Sequence, residues 1–189
     1  DVNEDQNIDP NDIEKKITKK TKVIMPVHLS GRSCDMNKIK KISKNYNIPI
    51  LEDAAQAIGT KYRNKFVGTF GDIGCFSAHP LKNLNAIGDA GYLITNNSKY
   101  AKLAKRLRNH GIEKRNNILN FGYVSRMDNL QAAVLNLRFK NLKKIIKKRR
   151  HNSSLYFKYL KNLKRITLPV EKKYEYNTYH TFVIIAEKR

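Results

Sequence analysis

Four polar side chains that could carry chemistry lie at or just after the ends of short apolar runs in one part of the sequence. They are Asp53, Gln56, Ser77 and Lys82. In an open sheet of parallel strands, ligands bind outside the carboxyl ends of the strands, so residues at these ends are candidates for a binding site. A carboxylate, an amide, a hydroxyl and an amine that converge on one crevice would suit a phosphorylated cofactor that contains nitrogen.

Each of these residues has a specific chemical use and an ordinary alternative. Lys82 lies in the polar loop HPLKN, where a lysine is commonly solvated, but Ser77 precedes it closely enough for one strand and its loop to hold both a phosphate and an aldehyde. A lysine forms a Schiff base only as the neutral amine, so its pocket must lower its pKa. Asp53 could cap the segment that follows it, or it could pair with a protonated pyridine nitrogen. Gln56 could reach the phenolic oxygen of such a ring.

The apolar pattern around these residues predicts alternating strands and helices. Asp9 and Pro10 begin a short helix. Residues 23–29 predict a strand, Asp35 caps a second helix, and residues 50–54 predict the next strand. This order of strand, helix and strand is a βαβ unit, whose two strands are parallel. We expect His28, near the end of the first strand, to be structural.

Further elements follow toward the carboxyl end of the chain. Residues 61–67 predict a hairpin arm, and residues 73–77 and 91–95 predict two buried strands. Ser98 is expected to cap a helix that ends at Gly111. From Asp128 the periodicity predicts a helix of about 30 residues with two apolar stripes. The stripes are Leu130, Ala133, Val134 and Leu137, and Leu135, Phe139, Leu142 and Ile146. A last strand is expected over residues 178–186.

The motifs of the chain resemble one family. EDAAQAIG, GDIGCFSAHPLKN, GDAGYLIT, RLRNHG and SRMDNLQAAV have the order and spacing of the DegT/DnrJ/EryC1/StrS sugar aminotransferases, which depend on pyridoxal 5′-phosphate (PLP). The resemblance reaches about Tyr159, and HTFV at residues 180–183 resembles the start of the family's small domain. It implies an α/β fold of the aspartate-aminotransferase type (fold type I), with a mostly parallel sheet and flanking helices, truncated at both ends. Residues 1–165 would be a partial PLP-binding large domain, and residues 166–189 the start of the small C-terminal domain.

The resemblance also implies a role for each candidate residue. Lys82 corresponds to the lysine that holds PLP as a Schiff base, Asp53 to the partner of the pyridine nitrogen, Gln56 to the residue near the ring oxygen, and Ser77 to a phosphate ligand. Related sugar dehydratases have histidine in place of this lysine, so transamination is favoured over dehydration. The implied substrates are a nucleotide-linked ketosugar and an amino-acid donor such as glutamate. The implied partner is a second copy of the chain, and no metal is expected.

Two positions depart from the family pattern. Val124 stands in GYVSR where the family has an asparagine that commonly reaches the PLP phosphate of the neighbouring subunit, and valine cannot make that hydrogen bond. Ala90 stands where the family often has a second glycine. These departures leave open an alternative in which the chain is a non-catalytic or degenerate member that binds PLP poorly.

The charge of the chain permits another class of function. The net charge is +22, which would suit a basic nucleic-acid-binding module. The lysines are spread along the whole chain and no nucleic-acid-binding motif accompanies them, so we expect no nucleic-acid partner. Cys34 and Cys75 lack metal-ligand spacing and are expected to be free thiols. No apolar run is long enough to span a membrane, and a cytoplasmic protein is expected.

Overall fold

The structure is a computed structural model that describes residues 1–115 and 117–187. It contains five α-helices in the described residues: α1 (Pro10–Lys16), α2 (Met36–Tyr46), α3 (Ser98–Leu107), α4 (Asn129–Phe139) and α5 (Leu142–Leu160). The strands are β1 (Leu51–Asp53), β2 (Lys61–Tyr62), β3 (Lys65–Phe66), β4 (Ile73–Ser77), β5 (Gly91–Ile94), β6 (Ile112–Lys114), β7 (Asn117–Ile118), β8 (Ile166–Thr167), β9 (Glu175–Tyr176) and β10 (Ile185–Ala186).

The predicted βαβ unit is present, although its first strand is incomplete. Residues 23–29 run parallel to β1 but form only two isolated bridges, Ile24 with Ile50 and Val27 with Asp53. Pro26 lies between these bridges and has no N–H to donate, so a continuous ladder cannot form there. Its carbonyl oxygen nevertheless accepts a hydrogen bond of 2.9 Å from the N–H of Asp53.

The main sheet has the order β1-β4-β5. β1 and β4 are parallel, with Asp53 opposite Cys75, whereas β5 is antiparallel to β4. Residues 91–95 were predicted to form a buried strand, and this is wrong, because β5 lies at the edge of the sheet and Leu93 and Ile94 are exposed. The sheet therefore combines parallel and antiparallel pairs, with the parallel pair at the predicted site.

The helix caps agree with the sequence at two positions and differ at a third. Asp9 caps α1 by accepting from the N–H of Asn11, and Asp35 caps α2 by accepting from the N–H of Lys38. The cap of α3 is Asn97 rather than Ser98, because the Asn97 side chain accepts from the first backbone N–H groups of the helix. Asparagine and serine are comparable caps, so sequence alone did not distinguish the neighbours.

The long helix predicted from Asp128 is broken into α4 and α5 at residues 140–141. The break lets Leu135 from α4 and Leu142 and Ile146 from α5 pack into one core with Ala78 and Leu84. The two apolar stripes predicted burial on two sides, and this is wrong for three of their residues, because Leu130 and Leu137 of the first stripe and Phe139 of the second are exposed.

The strand predicted over residues 178–186 is also wrong for most of its length. Only Ile185–Ala186 forms a strand, and it pairs antiparallel with β8. Residues 178–180 instead bond to the turn at residues 29–31: the N–H of Thr178 donates to the Gly31 carbonyl at 3.0 Å, and the N–H of His180 donates to the Ser30 carbonyl at 2.9 Å. These hydrogen bonds hold residues 178–180 against the turn at residues 29–31.

Candidate functional site

Asp53 is the last residue of β1, and its backbone is fixed on both sides. Its N–H donates to the Pro26 carbonyl and its own carbonyl accepts from the N–H of His28, both at 2.9 Å. Its side chain is half-buried, and Oδ1 accepts from the N–H of Ala55 at 2.9 Å. Oδ2 accepts no hydrogen bond from the described residues. The carboxylate is therefore held in place with one oxygen available.

Glu52, the preceding residue, points to the opposite face of β1 and is completely buried. Its carboxylate accepts four hydrogen bonds: from Nε2 of His28 at 2.9 Å, and from the N–H groups of Gly68, Phe70 and Gly71 at 2.7, 2.6 and 2.6 Å. Burial raises the pKa of the Glu52 carboxyl, but the hydrogen bonds from His28, Gly71 and Gly68 outweigh it, so this pKa lies below its ordinary value. Glu52 is therefore an ionised residue of the interior.

His28 is structural, as expected from the sequence. It is completely buried, and its Nδ1 accepts from the N–H of Cys34 at 3.1 Å. Because Nδ1 is an acceptor, the ring proton is assigned to Nε2, which donates to Glu52. Both ring nitrogens of His28 are thus used inside the chain.

Gln56 follows β1 and is oriented by the turn at residue 30. Its Oε1 accepts from the N–H of Ser30 at 2.7 Å. This bond distinguishes Oε1 of the carboxamide from Nε2, since a backbone N–H can only donate and its partner must be the oxygen. The Nε2 group of Gln56 is left to donate to another oxygen.

Ser77 ends β4 at the same edge of the sheet as Asp53, because β1 and β4 are parallel. Its Oγ accepts a long bond of 3.3 Å from the N–H of His79. The loop that follows is closed by the N–H of Lys82, which donates to the His79 carbonyl at 2.9 Å. The ends of this loop are tied together where the N–H of Ala86 donates to the Ala78 carbonyl at 2.8 Å. The Lys82 side chain is half-buried.

His180 is a neighbour of Lys82 that the sequence did not identify as part of the site. Burial lowers the pKa of the His180 imidazole, and the positive charges of Lys82 and Arg149 lower it further. Arg149 also donates from Nη1 to the His180 carbonyl at 3.0 Å. The available sequence signal was the HTFV motif, which indicated a domain boundary rather than a site residue. The structure adds a neutral imidazole to the surroundings of Lys82.

The two departures from the family pattern lie in different environments. Val124 forms an isolated antiparallel bridge with Asn109, and its side chain is 69% exposed. Ala90 is half-buried, and its carbonyl accepts from the N–H of Ala78 at 2.8 Å. An exposed Val124 presents an apolar side chain where the family motif has an amide.

Other kinds of site receive no support from the described part of the chain. No group of three or more His, Cys, Asp or Glu residues within residues 1–115 and 117–187 could hold a metal ion. Both cysteines are free thiols, and burial raises the pKa of each of them, so neither is an activated nucleophile. Among the described helices, none has the length and apolar character needed to cross a membrane.

Comparison with known proteins yields a match over the whole sequence. Residues 1–189 match the DegT/DnrJ/EryC1/StrS aminotransferase family. The dTDP-3-amino-3,6-dideoxy-alpha-D-galactopyranose transaminase of Aneurinibacillus thermoaerophilus is 43% identical over 183 residues, which cover 97% of this chain and 50% of that protein. The chain spans about half the length of the curated relatives it matches.

Solved structures of similar proteins have the same fold. DesV of S. venezuelae superimposes with a TM-score of 0.95 at 35% identity, over 100% of this chain and 51% of that one. NtdA of Bacillus subtilis, solved with bound PMP, superimposes with a TM-score of 0.86 at 36% identity, over 96% of this chain and 42% of that one. The predicted α/β fold of the PLP enzymes of fold type I is confirmed by these likenesses.

Proposed function

Because the chain belongs to the DegT/DnrJ/EryC1/StrS aminotransferase family, we propose that it binds PLP and transfers an amino group from an amino acid to a ketosugar nucleotide. The observation that carries this proposal is the parallel pairing of β1 with β4, which places Asp53 and Ser77 at one edge of the sheet. Gln56 and the Lys82 loop follow directly from these two strand ends. The family's relatives named as sugar transaminases support the reaction.

The residues present have the donor and acceptor groups that PLP requires. The free Oδ2 of Asp53 would accept a hydrogen bond from the protonated pyridine nitrogen, and the free Nε2 of Gln56 would donate to the phenolic oxygen. Ser77 Oγ, whose bond to His79 is long, would donate to the phosphate. These roles use the polar atoms that the chain leaves without a strong internal partner.

Lys82 would be the reacting residue. When bound, PLP supplies an electron sink for the negative charge that develops at Cα of the amino donor. The Lys82 amine would hold the cofactor covalently, and once displaced by the donor it would take the proton from Cα. Both steps need the neutral amine. A neutral His180 nearby adds no positive charge of its own to the surroundings of Lys82.

Partners and organisation follow from the same proposal. We propose glutamate or a similar amino acid as donor and a dTDP- or UDP-linked ketosugar as acceptor, since relatives with these nucleotides in their names match over nearly the whole chain. A second copy of the chain would cover the exposed side chains of Leu130, Leu137 and Phe139. We further propose the division at residues 165–166 into large and small domains, and a cytoplasmic location.

An amino-transfer assay tests this proposal. The chain is incubated with PLP, glutamate and a dTDP- or UDP-linked ketosugar, and formation of 2-oxoglutarate and aminosugar is measured. We expect turnover that Lys82→Arg abolishes and that Lys147→Arg, a change on the exposed face of α5, leaves unchanged. Equal rates in Lys82→Arg and the unchanged chain would remove Lys82 from the reaction.

Val124 supports a second candidate, a non-catalytic member that holds PLP poorly. Its exposed valine offers no hydrogen bond at a position where the family motif has an amide. This candidate predicts that Val124→Asn tightens PLP binding by about 10-fold, which is the value of one hydrogen bond to a charged group. An unchanged dissociation constant, measured by fluorescence titration beside a Val124→Thr control, would count against it.

A further inference from the structure

The His28–Glu52 network joins all the segments that present the proposed site. His28 lies two residues before Ser30, whose N–H orients Gln56. Glu52 immediately precedes Asp53. The N–H donors Gly68, Phe70 and Gly71 belong to the loop that leads into β4, which ends at Ser77. One buried carboxylate therefore ties together three stretches of chain that are distant in sequence.

Every polar atom of this network is used, and its geometry permits one arrangement only. Oε2 of Glu52 accepts from His28 and Gly68, and Oε1 accepts from Phe70 and Gly71. His28 cannot reverse its tautomer, because the N–H of Cys34 already points at Nδ1. Gly68 has a φ of +83°, and a Cβ there would lie 2.4 Å from Phe76, so glycine is required for the loop to approach.

We propose that Glu52 is a positioning residue for the site: by clamping the loop at residues 68–71 and His28 to β1, it sets the distance between Asp53 and the Ser77–Lys82 segment. It touches neither cofactor nor substrate, since it points to the opposite face of β1 from Asp53. Only one part of this proposal, the identity of the ligand that the site binds, rests on the proposed function. The clamping itself is a property of the chain alone.

The substitution Glu52→Gln removes hydrogen bonds from the network while keeping the shape of the side chain. The amide NH2 would face two donors, Nε2 of His28 and the N–H of Gly68, and neither can become an acceptor. We expect amide hydrogen exchange at Asp53, Ala54 and Ala78 to speed up by at least about 10-fold more than global unfolding accounts for, because the loss of buried hydrogen bonds is local. These amides bond to Pro26, Cys75 and Ala90.

A matched control separates positioning from general loss of stability. Ile13→Ala removes a buried side chain from the core shared by α1 and α2 and should also lower the global stability of the chain, without changing a hydrogen bond of the network or a side chain packed against Ala78. At conditions of equal global stability, Glu52→Gln should weaken PLP binding by at least 10-fold relative to Ile13→Ala. If both variants show the same exchange pattern and the same PLP affinity, Glu52 acts on stability alone and the proposal is overturned.

A second variant covers the case in which Glu52→Gln does not fold. His28→Gln can place a carboxamide N–H near the position of Nε2 and should keep the exchange rates close to those of the unchanged chain, whereas His28→Leu removes the donor and should raise them at Asp53 and Ala54. Equal rates in the two His28 variants would contradict the proposal. If the unchanged chain fails to bind PLP, the proposed function fails, and the exchange measurements still decide the role of Glu52.

Discussion

The adjacent carboxylates of β1, Glu52 and Asp53, lie in contrasting environments. On one face, Glu52 is completely buried and all its hydrogen bonds are made inside the chain. At the strand end on the other face, Asp53 is half-buried and keeps one oxygen free of bonds from the described residues. A buried charge must be satisfied by its own protein, whereas a charge intended for a ligand must keep an acceptor available. This difference distinguishes residues of the structural framework from residues of the proposed site.

The same distinction extends to the neighbours of each residue. His28 uses both ring nitrogens, as Glu52 uses both oxygens. Gln56 uses only its oxygen, and Ser77 makes one long bond. Substitution of a framework residue should therefore lower the free energy of unfolding and disturb the positions of the strand ends, whereas substitution of a proposed site residue should change ligand affinity with little effect on the free energy of unfolding. The predictions below set these two groups against each other.

The largest expected effect is on the free energy of unfolding. Glu52→Gln should lower it by about 3–5 kcal/mol, because two buried donors lose their acceptors. Asp53→Asn should lower it by less than about 1 kcal/mol, because Oδ1 can still accept from Ala55. Urea unfolding followed by circular dichroism measures both. Similar losses in the two variants would break the distinction between the two faces of β1.

The affinity for PLP should depend on Asp53 and not on a second carboxylate, Asp72. Asp53→Asn should raise the PLP dissociation constant by about 10- to 100-fold, because the hydrogen bond to a charged pyridine nitrogen is lost. The control is Asp72→Asn, since the Asp72 carboxylate lies just before β4, at the end of the strand opposite Ser77, and accepts from the N–H of Ile50. Fluorescence titration gives both constants, and equal values would remove Asp53 from the cofactor site.

Acid should weaken the framework through Glu52. Its pKa is lower in the folded chain than in the unfolded one, so its contribution is complete above the unfolded pKa of about 4.3 and is lost as pH falls through the folded value. The urea midpoint of the unchanged chain should therefore fall as pH drops below about 4.3. The fall should be shallower in Glu52→Gln, and parallel curves would show that Glu52 does not titrate as described.

The smallest expected effect is a change in the titration of His180. Burial lowers the pKa of this imidazole and the positive charge of Lys82 lowers it further, so Lys82→Met should raise the pKa. Proton NMR of the His180 ring follows the titration without any cofactor. Lys61→Met is the control, since Lys61 contacts Phe66 and Tyr176 instead. No shift in Lys82→Met would place Lys82 away from His180.

Much of the fold followed from local patterns in the sequence. Asp9 and Asp35 predicted their helices because capping depends on a few neighbouring residues, and the βαβ rule gave the parallel direction of residues 23–29 and β1. The edge position of β5 and the break between α4 and α5 depend on which surfaces meet in space. The periodicity that predicted burial of Leu130 and Leu137 shows that a face is apolar, but it does not show whether this chain or another covers it.

The positions of the four candidate residues in the fold were predicted from the sequence, and their roles stay a prediction. Asp53, Gln56, Ser77 and Lys82 lie at strand ends or in the loops that follow, as the sequence indicated. His180 was missed as a neighbour of Lys82, because its position depends on contacts with Ser30 and Arg149 that are far away in sequence. The role of Glu52 was also missed, since a carboxylate in an apolar strand does not reveal which donors surround it.

Covalent attachment of PLP tests the central claim most directly. The chain is mixed with one equivalent of PLP, reduced with borohydride and digested, and the labelled peptide is identified by mass spectrometry. We predict a single pyridoxyl group on Lys82, no label in Lys82→Arg, and reduced labelling in Asp53→Asn. Label spread over the many surface lysines, or fixed on a lysine other than Lys82, would contradict the proposal that these strand ends form a PLP site.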